Sequence, residues 1–512
     1  MRNFYQAHVR EPMYRAVTRM WLWLMANQDV AVSFASASGS ILTIVLVYFL
    51  GSAMVSRAAG VVLSFIIAIE YDLISWSVDG WRDDLFMAAA TLSAWAFLRC
   101  RREPSLINAA IVGVATASAC LTRVTALTFV VPTLIWLLFD DPSHPPRQRV
   151  KAVAVAATVC AILVAPYLIN CARETGDPFY AINYHTTYYR RGEGLPSEKP
   201  MGVVGYVRAK LAAKPVATFD TAVGGLFVHP FTNKWRGIWV PQVAVILSWL
   251  SIVGLVRWIF LRDGRLMLVV LFSSLAPYAL TWNVGAGGEW RFTMHAYPIY
   301  LLASMSGLAL IWQALSTLRR NRWRPAPIPR PVLLGWVTGT IVVAAVIAMY
   351  IVLPWFVVRE QISSGADVSI ETGNRDGVFF SDGWSEPYAD GLTFRLSTAD
   401  RAIVRFPLPT RRTYQIVLRL DPVSPEQQHR AVVLLNRQLL ATLLLTWNPE
   451  RVGTYLLVVP EDRVRVGMNE LTIVPDTLVA AQSAGPRYAA RDVGDRLGVR
   501  LWYVRVLAPS PN

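Results

Sequence analysis

Charge is what this sequence has little of. Of its 512 residues only 16% are Asp, Glu, Lys or Arg and 54% are hydrophobic, whereas a soluble globular domain carries about 25% charged residues. That shortage excludes an ordinary soluble enzyme and points to an integral membrane protein. Acid is scarcer than base, 34 residues against 49, for a net charge of +15. A basic excess can signal nucleic acid, but no basic patch with interleaved aromatics occurs, so no nucleic-acid partner is expected. Cysteine is limited to Cys100, Cys120, Cys160 and Cys171. None has the spacing of a metal site, and a Cys120–Cys171 bridge at one membrane face is the one pairing left open. No internal repeat stands out.

Apolar runs supply what charge does not. About ten have the length of a membrane helix, centred near Leu42, Phe65, Thr91, Ala115, Val131, Val159, Val245, Val270, Leu302 and Val343. The short loops holding Arg57, Arg99–Arg102, Arg147–Lys151, Arg257–Arg265 and Arg319–Arg330 alternate with the others, and Lys/Arg bias makes them cytoplasmic. The opposite, extracytoplasmic face then receives an amphipathic segment 1–29, the acidic run Asp79–Asp84, the turn at Leu121–Thr125, a long loop 171–236, the turn at Asn283–Phe292 and the C-terminal part. The spans themselves fill residues 30–360.

Beyond residue 363 the period changes. "GLTFRLS", "RAIVRFPL", "YQIVLRL", "AVVLLN", "TYLLVVP", "ELTIV" and "LWYVRVL" alternate in twos between turn residues. They predict an antiparallel β-sandwich over 366–508. "LNRQLL" and the stretch after it resemble the jelly-roll, galactose-binding-like modules of carbohydrate-active proteins, either as a sugar-binding domain or as a spacer that binds none.

The polar constellations all fall on the extracytoplasmic side. Asp83 and Asp84 open a helix, where the dipole favours acid. Beside Arg82 they also suit a divalent cation (Mg, Mn, Ca or Zn) or a phosphate, whereas His185, a lone histidine, is more often structural than a ligand. Arg123 in "CLTRVTAL" interrupts two spans, either snorkelling to headgroups or holding a lipid phosphate. Tyr184, Tyr188 and His185 in "GDPFYAINYHTTYYRR" fit sugar stacking or an interfacial belt. Glu289, Arg291 and His295 in "GGEWRFTMHAYP" are interface charges or substrate contacts.

In order, "HVREPMYRAVTRMWLWL", "SWSVDGWRDDLFMAAATLSAWAFLR", "GVATASACLTRVTALTFVVPTLIWLL", "APYLINCARETGDPFYAINYH" and "EWRFTMHAYPIYLLASMSGL" resemble the GT-C glycosyltransferases of the protein-mannosyltransferase and aminoarabinose-transferase type. The resemblance covers roughly residues 5 to 315. It implies transfer of a sugar from a polyprenyl-phosphate carrier to a glycan, lipid or protein acceptor, at the plasma membrane of a bacterium. Residue by residue, Arg10 and Glu11 before Pro12 resemble the segment near the carrier phosphate, and Asp83 or Asp84 the acidic residue opening a span. Arg123 resembles the basic residue of the tight turn, His185 the loop histidine and possible metal partner, and Arg291 the late arginine. Arg10, Arg82, Arg123 and Arg291 are thus the phosphate candidates, and Glu11, Asp83 and Asp84 the catalytic ones. Family members begin with a further helix and an exterior segment bearing an Asp. No apolar span or signal peptide precedes "REP" here, so the expectation is of a missing first helix and an unidentified catalytic base. The alternative is a non-catalytic, membrane-anchored sugar-binding or glycan-export accessory protein.

Overall fold

The computed structural model describes residues 4–25, 28–139, 144–192, 201–228, 241–281, 290–320, 330–373, 375–390, 392–423, 429–445, 453–481 and 496–507. The chain divides into a helical unit, residues 1–213 and 221–344, and a second unit, residues 214–220 and 345–512.

The helical unit opens with α1 (Pro12–Leu24), whose proline occupies the first turn and costs no hydrogen bond there. α1 leaves Met20, Leu22, Trp23 and Leu24 exposed, as an amphipathic helix at a membrane interface does. Then come α2 (Gln28–Met54), α3 (Arg57–Ile69), α4 (Tyr71–Val78), α5 (Asp83–Arg102), α6 (Leu106–Thr122), α7 (Leu127–Phe139), α8 (Pro146–Thr175), α9 (Tyr180–Gly192), α10 (Val203–Ala213) and α11 (Pro215–Val223). Further helices span Pro241–Phe260, Arg262–Thr281, Tyr297–Arg320 and Arg330–Ser363. The ends follow local chemistry. Ser56 and Ser105 accept the Ala59 and Asn108 N–H groups at the starts of α3 and α6, and α8 stops at left-handed Gly176.

Each of the ten expected span centres falls on a helix. Among the described residues fewer than ten helices are long and apolar enough to cross a membrane alone. Among the described residues five are, and α3 with α4 makes a sixth, bent by 58° at Glu70. The rest fall short for visible reasons. α6 and α7 are parted by the turn at Arg123, and α5 carries charge at both ends. The helical core packs Phe97, Cys120, Tyr167, Leu271 and Tyr300 away from the surroundings. All four cysteines are buried and free, so the Cys120–Cys171 bridge is not formed.

The second unit is an all-antiparallel two-sheet sandwich. Its strands are β1 (Val368–Glu371), β2 (Tyr388–Asp390), β3 (Leu392–Leu396), β4 (Ala402–Leu408), β5 (Tyr414–Pro422), β6 (His429–Leu435), β7 (Gln438–Leu445), β8 (Thr454–Val459), β9 (Gly467–Pro475), β10 (Val479–Ala480), β11 (Arg496–Leu497) and β12 (Val499–Leu507). One face runs β2-β3-β12-β5-β8 with β1 also on β12, the other runs β4-β9-β6-β7, and β10 and β11 form a separate two-stranded sheet. Alternate residues of both sheets, among them Phe406, Leu418, Val433 and Val504, fill the core between them. Asn436 and Arg437, both with positive φ, make the tight turn between β6 and β7.

Two features of this unit differ from the expected boundaries of 366–508. Val358 and Ile362, at the end of the helix Arg330–Ser363, are buried in the sandwich core. Residues 214–220, expected to stay with the long loop, also belong to the unit. The Glu360 carboxylate accepts the Val216 and Ala217 N–H groups, both at 2.9 Å. Asp220 pairs with Arg375 at 2.7 Å, and Arg375 lies 3.7 Å over the Tyr350 ring.

Candidate functional site

Where α1, α5 and the α6–α7 turn begin or end, five charged side chains come together. Glu11 precedes Pro12, which favours extended backbone at that position, and it adopts φ −65°, ψ 156°. This points its carboxylate away from α1. One oxygen accepts the Val124 N–H at 2.8 Å and the other accepts from the Arg82 guanidinium. Glu11 thus joins the start of α1, the residue before α5 and the turn after α6.

Arg123 stands in that turn, between α6 and a short 3₁₀ helix Val124–Ala126. Its guanidinium is ion-paired to Asp83 and donates to the Tyr278 hydroxyl at 3.1 Å. Phe86, Phe292 and Tyr278 enclose it, with ring centroids 5.5, 5.5 and 6.0 Å away. The Tyr278 hydroxyl also meets Thr125 Oγ1 at 3.1 Å. His295 is buried here too, its ring 5.0 Å from Phe86 and 5.5 Å from Tyr278. Glu11, Asp83 and Arg123 are each no more than 5% exposed. Charges so deeply buried persist only when paired.

Two polar atoms are left over. Arg123 Nε is buried with no partner among the described residues, and so is Asp84 Oδ2. Asp84 is wholly buried, its other oxygen accepting from Ser40 at 2.7 Å. Three carboxylates against two guanidiniums leave Asp84 as the acid without a cation. The arrangement offers a fixed guanidinium with a spare donor and, one residue from its partner, a carboxylate with a spare acceptor.

His185 lies on α9. Burial, with the nearby cations Arg82 and Arg10, holds its imidazole below the usual histidine value; Glu11 and the Val9 backbone act the other way. His185 therefore neighbours the Glu11–Arg82 pair. Arg10 is exposed, and its backbone N–H donates to His8 at 3.1 Å. Tyr184 is exposed and meets Tyr180 and His185 edge-on. Glu289 and the side chains of Tyr188 and Arg291 lie outside the described residues. Among the described residues no three His, Cys, Asp or Glu form a group that could hold a metal ion. Of the candidates Asp83, Asp84 and His185, Asp83 is ion-paired to Arg123 and Asp84 accepts from Ser40 through one oxygen only. Reading the sequence passed over Tyr278, Ser40 and Phe292; the only local sign at Tyr278 is the preceding Pro277 inside an apolar helix.

Residues 9–169 match the family model described as dolichyl-phosphate-mannose-protein mannosyltransferase. No curated protein matches the chain. Among solved structures, the archaeal oligosaccharyltransferase AglB from Archaeoglobus fulgidus, in complex with an inhibitory peptide and a dolichol-phosphate, is 13% identical with a TM-score of 0.40. That alignment covers 68% of this chain and 47% of the other, so the chain spans about half the length of that protein. The arabinosyltransferase EmbB from Mycobacterium smegmatis is 10% identical over 98% of this chain and 60% of its own, with a TM-score of 0.31. A family 35 carbohydrate binding module from an environmental isolate is 16% identical over 25% of this chain and 91% of its own, with a TM-score of 0.18. Over residues 9–169 the chain is thus similar to the dolichyl-phosphate-mannose-protein mannosyltransferases, and Glu11, Arg82, Asp83, Asp84 and Arg123 all lie inside that stretch.

Proposed function

We propose that the chain moves a sugar from a polyprenyl-phosphate carrier to an acceptor hydroxyl on the extracytoplasmic face of the membrane. The observation that carries this reading is the buried Asp83–Arg123–Tyr278 group beside the Glu11–Arg82 pair, within the stretch similar to protein mannosyltransferases. In such a displacement the acceptor oxygen bonds to the anomeric carbon as the carrier phosphate leaves with the electron pair. The leaving phosphate needs cations already in place. Arg82 and Arg123 fill that role, held by Glu11 and Asp83 before any carrier arrives, and the spare Nε–H of Arg123 is a donor for a phosphate oxygen. The acceptor proton needs a carboxylate, and Asp84 has the uncommitted oxygen. The C-terminal sandwich would hold the acceptor glycan or protein.

A second reading, a sugar-binding or export accessory without catalysis, is favoured by the closure of both carboxylate–guanidinium pairs. Both are tested with the purified full-length protein in lipid nanodiscs, supplied with a labelled polyprenyl-phosphate sugar and an envelope extract as acceptor source. Transfer should be measurable and should fall at least about 100-fold in Asp84→Asn and Arg123→Gln, the scale of a lost electrostatic group in an active site. Asp79→Asn, outside the cluster, should keep the parent rate. Donor binding without transfer by the parent supports the accessory reading. Variants that transfer as well as the parent reduce the cluster to a packing device.

A further inference from the structure

The outer face of the sheet that carries β12 holds a polar block that the proposed reaction does not use. Side chains alternate across a strand. On β12 Val504 and Val506 enter the core, so Tyr503 and Arg505 face outward. The register sets Arg419 of β5 and Glu371 of β1 beside Tyr503, and Ser369 of β1 beside Arg505. Strand spacing makes this block about 10 Å across three strands and about 7 Å along them. Arg419 and Arg505 are stacked on one ring, 6.0 and 5.2 Å from the Tyr503 centroid. Stacking holds a guanidinium in place while leaving its N–H groups free to donate. Neither arginine is ion-paired among the described residues. Asp421, whose charge reaches Arg419, is held by Arg500 at 2.7 Å. Two cations on one ring repel each other until an anion joins them. Ser369 Oγ is buried and has no partner among the described residues, and a buried hydroxyl normally has one. Glu371 is exposed and supplies an acceptor.

We propose that this block is a binding site for an acid-bearing glycan, a sugar polymer carrying carboxylate or phosphate groups. Planar guanidiniums in fixed positions match the oxygens of either acid two at a time. Glu371 accepts from sugar hydroxyls, and Ser369 Oγ gains the partner it lacks. A neutral polymer leaves both guanidiniums without a counter-charge. The inference deepens, and rests on, the reading of the sandwich as the part that holds the acceptor.

The test uses the purified full-length protein in phosphatidylcholine nanodiscs, with no sugar donor present. One arm measures binding to immobilised polygalacturonate against its methyl ester. The other measures binding to phosphomannan against unphosphorylated mannan. Polyglutamate serves as a polyanion without sugar. The whole chain is basic, at +15, so Arg430→Gln, an exposed arginine of β6 on the opposite sheet, controls for charge alone. Binding of one acidic glycan that Arg419→Gln and Arg505→Gln each weaken about fivefold or more, with Arg430→Gln at the parent level, supports the site, and the arm that shows it identifies the acid group. Neutral forms bound as tightly as the acidic ones overturn the proposal. So does polyglutamate bound as tightly as the glycans, or three variants that behave alike. Failure here is distinct from failure of transfer: a parent that transfers sugar but ignores both acidic glycans overturns this inference alone.

Discussion

Asp421 shows what burial does to a single carboxylate. It lies on β5 at 1% exposure, with Oδ2 accepting from Arg500 at 2.7 Å and Oδ1 without a partner among the described residues. Burial pushes its carboxyl up to about 6, and Arg500 offsets only part of that rise. The folded value therefore exceeds the unfolded one, near 3.9. A group raised in this way favours the fold when protonated: its contribution is complete below the unfolded value and is lost as pH rises through the folded one. The melting midpoint of the C-terminal unit should accordingly decline from this group as pH rises from about 4 to about 6. Asp421→Asn keeps an acceptor for Arg500 and removes the titration, so that part of the decline should vanish; an unchanged slope would assign it to other groups. The same physics made half of the candidate site legible in the sequence. Arg82, Asp83 and Arg123 stand out because charge beside apolar runs demands a partner, and Glu11 stands out only through the resemblance of its segment to the mannosyltransferases. Tyr278 and Ser40 did not, because a hydroxyl in an apolar helix is ordinary. Tyr278 meets Arg123 only through a fold that closes 155 residues of chain.

Among the elements, the helices Pro241–Phe260 and Tyr297–Arg320 are brought together by what they omit. A Cβ on Gly254 would collide with the Ala303 carbonyl, and one on Gly307 with the Leu250 carbonyl. Ser304 donates across the seam to the Leu247 carbonyl at 2.9 Å. Small residues let helix backbones approach in a medium where apolar burial supplies no drive of its own. Gly254→Val should part the helices at a cost near the upper end of the ~1–3 kcal/mol of overpacking, seen as a lower melting midpoint and a poorer monodisperse yield. Gly377→Ala, with nothing within 4 Å of the added carbon, should be silent; equal behaviour of the two would remove the seam from the account. Element type was legible wherever one period prevailed. All seven alternating segments are strands, and all ten apolar centres are helical. β7 was passed over because "QLLATLLL" has no strict two-residue alternation, its polar Gln438 and Thr442 being separated by three apolar residues. The stretch read only as a long loop folds α9, α10 and α11, of which α9 is the one rich in aromatics.

For the whole molecule the arginine pattern makes one demand that can be measured. If the loops at Arg101 and Arg319–Arg330 are cytoplasmic, a reporter active only outside the cytoplasm and fused after Asn512 should be active; silence there with a cytoplasmic reporter active would invert the assignment. The two-unit layout was half legible. The change of period near residue 363 marked the sandwich, but residues 214–220 join it through Glu360 and Arg375, a partnership with no echo in local pattern. The sandwich also carries a rule about its own birth. β12, the last described strand, is not at an edge: it pairs with β1, β3 and β5. The ribosome therefore delivers the middle of that sheet after both of its flanks. Until residues 499–507 emerge, β1, β2 with β3, and β5 with β8 wait as separate pieces with unpaired backbone, and a message cut short before that strand yields a protein whose sheet cannot close.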